Sequence, residues 1–137
     1  MLPRRLNLPA LETVIEALAD MIGAPRDLLP SCGISDQTGR PHIEISQVYH
    51  YVVAERGGEQ SREVTAELDL LLYWVFQDVT SQMAGKYELE HRRAAEDSRR
   101  LRFEKQLELM AQISSDWAAK QRADQASILV LHPFQDG

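Results

Sequence analysis

Apolar residues fall at Leu68, Leu71, Leu72, Val75, Phe76, Val79, Met83 and Tyr87, the three-and-four spacing of one helical stripe. Leu70, Tyr73 and Trp74 add apolar surface on the flanks, so the first turns of this helix are expected to be covered on most of their circumference. That makes it the central helix of a single core. Thr65 stands in front of it as an N-cap, with Glu67 and Asp69 in the electropositive first turn, and the pattern predicts a helix over 66–93. Gly85 interrupts the stripe at a cost near 1 kcal/mol relative to alanine, marking either a kink or a close approach by another element.

Upstream, Leu11, Val14, Ile15, Leu18 and Ile22 repeat at the same spacing. Asn7 caps this run, Pro9 fits its first turn and Gly23 closes it, which predicts a helix over 8–23. Pro25 to Pro41 holds three prolines, two glycines and the turn-forming run from Ser35 to Gly39, so it reads as loop with at most a short strand around Cys32. From His42 the period drops to two: Ile43 and Ile45 alternate with polar neighbours, and Tyr49 to Val53 is rich in β-formers. Gly57-Gly58 supplies a turn, giving a small antiparallel meander over 41–65. Downstream, Phe103, Leu107 and Met110 predict a helix over 97–113. Ser114 or Ser115 caps a last one over 115–131 that carries Trp117, Ile128 and Leu131, and His132-Pro133 stops it. The expected fold is α+β: one mostly helical domain over 1–137, with an N-terminal helix, a small antiparallel β-meander, then three helices.

Composition narrows the function. The 137 residues lie within the range of one domain, and no apolar run approaches the roughly 18 residues that cross a bilayer. Met1 to Arg5 is charged without the apolar stretch of a signal peptide, so a cytoplasmic protein is expected. Cys32 is the one cysteine; it reads as a small apolar residue, in keeping with a reducing compartment. A net charge of −6 argues against a nucleic-acid binder, which needs basic patches for phosphates. Within 59–97, nine acids face only Arg62, Lys86, Arg92 and Arg93, a local charge of −5. This stretch is read either as a solvated face with internal pairs such as Glu88 with Arg92, or as an acidic docking surface.

Catalytic apparatus is absent from the pattern. Serine nucleophile motifs, phosphate-binding glycine loops and paired cysteines are missing. Glu88 and His91 have the Glu-x-x-His form of carboxylate-bridged metal bundles, but a second copy and two further glutamates are lacking, so neither a metal nor another cofactor is expected. His42, His50 and His132 read as surface or core hydrogen-bonding residues. Asp78, inside the apolar stretch, is expected as a buried structural carboxylate matched by an arginine among Arg92, Arg93, Arg99, Arg100 and Arg102. The aromatics Tyr73, Trp74, Phe76, Tyr87, Phe103, Trp117 and Phe134 read mostly as core.

Several local strings carry a family likeness: Arg40-Pro41-His42-Ile43-Glu44, Tyr49-His50-Tyr51 with Glu55-Arg56-Gly57, and Leu71-Leu72-Tyr73-Trp74 with Asp78-Val79-Thr80. Tyr87-Glu88-Leu89, Arg92, Asp97, Arg99-Arg100, Phe103 to Leu107, Trp117 and His132-Pro133-Phe134 extend it. Together they resemble the immunity protein 63 family of bacterial polymorphic-toxin systems. The chain departs from it at Cys32, where an aromatic is more usual before Gly33, and at Gly58, where a longer polar residue is more usual. The resemblance implies a non-enzymatic cytosolic antidote that binds a cognate toxin domain and blocks it. Acidity suits a basic toxin such as a nuclease, and an interface of about 1,600 Å² is expected. The expected contact residues are exposed acids: Glu88, Glu90, Glu96 and Asp97 around the end of the central helix, and Glu59 and Glu63 at the hairpin. The competing readings are a regulatory or scaffolding protein that pairs through the meander's edge strand, and a carboxylate/His metal protein.

Overall fold

The structure, a computed structural model, describes residues 6–33 and 38–137. The fold is α+β, with four α-helices and a four-stranded sheet in the order α1 (Leu8–Ile22), β1 (Ser31–Cys32), β2 (Thr38–Ile45), β3 (Tyr49–Glu55), β4 (Gly58–Thr65), α2 (Leu68–Glu90), α3 (Ser98–Ile113) and α4 (Ser115–Leu131). Two compact units divide between Val75 and Phe76, with α2 running through the division as one helix.

In the first unit, α1 starts where its capping signals place it. The Asn7 side chain accepts from the Ala10 N–H, and Gly23 closes the helix at φ 66°, a left-handed conformation that glycine adopts at little cost. Leu11, Ile15, Ala19 and Ile22 are its buried line. A 3-10 turn, Arg26–Leu28, leads into β1, which pairs parallel with β2. The other pairs are antiparallel, giving the strand order β1-β2-β3-β4. The expected meander is therefore joined by a parallel strand at Cys32. β2 begins at Thr38 rather than Pro41, and residues 34–37 of the expected loop lie outside the described residues, as does Met1 to Arg5.

The tight turn also differs. Glu55 pairs with Gly58, so the two loop residues are Arg56 and Gly57, both at positive φ (52° and 79°). That is the signature of a type I′ hairpin, whose twist matches that of the strands. Gly58 belongs to the strand.

Cross-strand register places Ile43, Tyr51 and Glu63 in one row, and Glu44, His50 and Val64 in the next. The face that bears Ile43, Tyr49 and Tyr51, all buried, lies on the α1 side: the Leu6 N–H donates to Tyr49 Oη at 3.1 Å, and Cys32 shares a depression with Glu12, Ile15 and Glu16. Burial raises the Cys32 thiol pKa, helped by the charges of Glu12 and Glu16.

The second unit contains the rest of α2 with α3 and α4. Ser114 serves both later helices, donating its N–H to Met110 O at the end of α3 and accepting from the Trp117 N–H at the start of α4. Along α2 the buried line is Phe76, Thr80, Ala84 and Glu88, while the expected Met83 and Tyr87 are only half-buried. α2 ends at Glu90, three residues short of the expected Arg93. On α4, Ile128 and Leu131 are exposed and the buried positions are Trp117, Ala118, Gln121 and Gln125. Glutamine can occupy this seam because its amide finds acceptors there. Gln106 Nε2 donates to Gln77 O at 3.0 Å and to Thr80 Oγ1 at 3.3 Å, and Gln125 Nε2 donates to Phe103 O and Gln106 Oε1. No helix among the described residues is long and apolar enough to cross a membrane.

Candidate partner-binding surfaces

In the first unit the second face of the sheet carries an ionic network centred on Arg62. Its guanidinium donates to both carboxylate oxygens of Glu59 (2.6–3.1 Å), to Glu44 at 3.2 and 3.3 Å, and to His50 Nδ1 at 2.9 Å. Because a guanidinium only donates, His50 Nδ1 is the acceptor, and Nε2 carries the proton that reaches Ser46 Oγ at 2.8 Å. His42 Nε2 lies 2.7 Å from Glu44, and its buried Nδ1 has no hydrogen-bond partner among the described residues. His42 and then Arg62 lower the pKa of Glu44; Arg62 lowers that of Glu59.

Glu59 is thus occupied on its own sheet. Glu63, on the opposite face of β4, is exposed and makes no ion pair among the described residues. All of β4 from Gly58 to Val64 is exposed on both faces. The segment Gly58 to Thr65 has only one large apolar residue, Val64, and so little to bury.

In the second unit the expected acids have different fates. Glu88 is buried, not exposed, and its carboxylate accepts two 3.0 Å hydrogen bonds from Arg92 one turn later. This contact with Arg92 lowers its pKa. Asp97 is the N-cap of α3 and the anchor of the C-terminal tail. It accepts from the Arg99 side chain and N–H and from the Gln135 N–H, and its own N–H donates to Asp136. Arg99 above all, then the Gln135 N–H, hold its carboxyl well below the usual range. Arg99 also donates to His132 O and Pro133 O, while Arg100 pairs with Asp136 and stacks over the Phe134 ring. Asp97 therefore ties the C-terminal tail to the start of α3. Glu96 is half-buried and paired with Arg93. Glu90 is exposed, with no ion pair among the described residues. It sits in the last turn of a helix that has no basic residue there, where the dipole disfavours a carboxylate.

Asp78 is half-buried rather than buried. It lies two residues off the Phe76–Thr80 line, in a depression it shares with Arg99 and Arg102, two of its five expected partners. The buried polar side chain at this level of α2 is Thr80, which donates to Phe76 O at 2.6 Å. His91 Nδ1 lies 2.9 Å from Tyr87 O, and the imidazole stacks on the Tyr87 ring. Among the described residues no three His, Cys, Asp or Glu side chains gather at metal-binding spacing.

The geometry offers exposed acids and an open strand edge. What sequence reasoning missed are the Arg62 network, the tail clamp and the glutamine seam. Only the seam left a signal, in glutamines one turn apart at 121 and 125. The model of the family described as Immunity protein 63 matches residues 46–127. No curated protein and no solved structure is matched.

Proposed function

This chain belongs to the immunity protein 63 family, and on that premise we propose that it binds a cognate toxin domain of a bacterial polymorphic-toxin system and neutralises it in the cytoplasm. The family match over 46–127 carries this reading. Binding is the whole activity, with no chemistry performed on the toxin. The net charge of −6 supports a basic toxin surface as the target, such as that of a nuclease. Glu63 and Glu90 are the acids of the expected set left for a partner. Glu59 and Glu96 contribute to the field around them, and Glu88 and Asp97 act through the fold.

Co-expression with the toxin domain encoded beside this gene tests the reading. Survival of cells that the toxin alone kills, and recovery of a one-to-one complex, are expected. Continued killing with both proteins soluble and no complex formed would refute it.

A further inference from the structure

We infer that the toxin is held by strand addition to the outer edge of β4, with a lysine or arginine of the added strand facing Glu63. The inference rests on the toxin-binding reading above and gives its contact a location and a chemistry.

Backbone direction at the edge follows from one hydrogen bond on the far side of the sheet. The Gly33 N–H donates to Ile43 O at 2.7 Å, so the polar backbone groups of Ile43 face β1. N–H and C=O of a strand residue point to the same side and alternate along the strand. Ile43 is opposite Tyr51, which is opposite Glu63. Tyr51 therefore directs its groups toward β4 and bonds with Glu63, and the groups of Arg62 and Val64 point outward. β4 is the last strand of the sheet.

Edges of this kind are normally guarded by proline, lysine, a bulge or a covering segment. Here the register shift near Val53 and Ala54 leaves Gln60 as a bulge by the turn, and Ser61 to Thr65 is regular beyond it. No proline or lysine lies between Gly58 and Thr65. The one cation, Arg62, is drawn back along β4 to Glu59 and across the sheet to Glu44. Val64 is 52% exposed.

Charge decides between a toxin strand and a second copy of this chain. A two-fold antiparallel pairing that uses the outward groups of both Arg62 and Val64 centres on Glu63. It sets that carboxylate directly opposite its own copy, and like charges so placed are destabilising. A partner strand with a basic residue at that position turns the same contact favourable.

Hydrogen exchange of the complex with the toxin domain encoded beside this gene, read at the Arg62 and Val64 amides, is the primary test. Both are expected to slow by about tenfold or more on binding; unchanged exchange at both, in a complex that forms, overturns strand addition and leaves the toxin-binding reading standing. Val64→Pro removes an outward donor at an edge position where proline is tolerated, and Val64→Thr keeps it. With folding checked by circular dichroism, proline is expected to weaken binding by about tenfold or more and threonine by less than about threefold. Equal binding by a folded proline variant overturns the proposal. A dimer of the free protein that Val64→Pro dissolves would assign the edge to a second copy instead. If the wild-type protein forms no complex, the toxin-binding reading itself fails.

Discussion

Gln106 shows how a polar side chain earns a place in the middle of a helical unit. Its amide donates to Gln77 O and Thr80 Oγ1 while its carbonyl accepts from Gln125, so it joins all three helices of the unit. Gln106→Leu keeps the volume and strands those partners, and is expected to cost about 1–3 kcal/mol, read as the urea midpoint. A loss within error would mean that the seam closes up around leucine. Asp97 makes the complementary case at the surface. Its folded pKa lies below the ordinary carboxylate value, so its contribution to stability is present above about pH 4 and fades as pH falls below that toward the depressed value. The protection of the Gln135 amide, which donates to Asp97, is therefore expected to fall on acidification through that window once the intrinsic exchange rate at each pH is divided out, and Asp97→Asn to give a shallower dependence with a less protected tail at neutral pH. Tail exchange that ignores both would show that Arg99 and Arg100 hold the tail without it.

Elements with their own punctuation were legible: Asn7, Pro9 and Gly23 bound α1, and Ser114 separates α3 from α4. The first turns of α2 bury Leu71, Leu72, Val75, Phe76 and Val79 as their spacing predicts, but the buried face of its last turns and of α4 was not legible, because pattern reading treats glutamine and glutamate as outward residues. Glu88 is buried because Arg92 neutralises it, and Gln125 is buried where Ile128 and Leu131 are not because Phe103 O and Gln106 on α3 accept from it. Charge counting likewise does not reveal that Glu59 and Asp97 already pair with Arg62 and Arg99. Gly85 is the converse case. α2 runs through it without a break, and a Cβ there would meet only Arg102 Cδ, at an ordinary 3.9 Å. Neither a kink nor a close approach calls for glycine, so Gly85→Ala is expected to stabilise the protein by up to about 1 kcal/mol. Destabilisation by thermal melting would point to a contact that this position must leave open.

At the scale of the whole molecule, the field of the −6 charge and the backbone edge of β4 act on different rate constants. Long-range attraction raises the rate of encounter and is screened by salt, since the Debye length shrinks from about 30 Å at 0.01 M to about 8 Å at 0.15 M. Strand pairing is short-range and dry, so it governs how long the complex lasts. Raising salt across that range is accordingly expected to slow association with a basic toxin domain by about tenfold or more, with dissociation changed far less. Glu90→Lys should lower the association rate at low salt and relieve the helix end of an unfavourable carboxylate, whereas Val64→Pro should raise the dissociation rate at any salt. Stopped-flow or surface-plasmon kinetics separate the two. If salt instead accelerates dissociation as strongly as it slows association, charged side chains hold the complex and the edge of β4 does not.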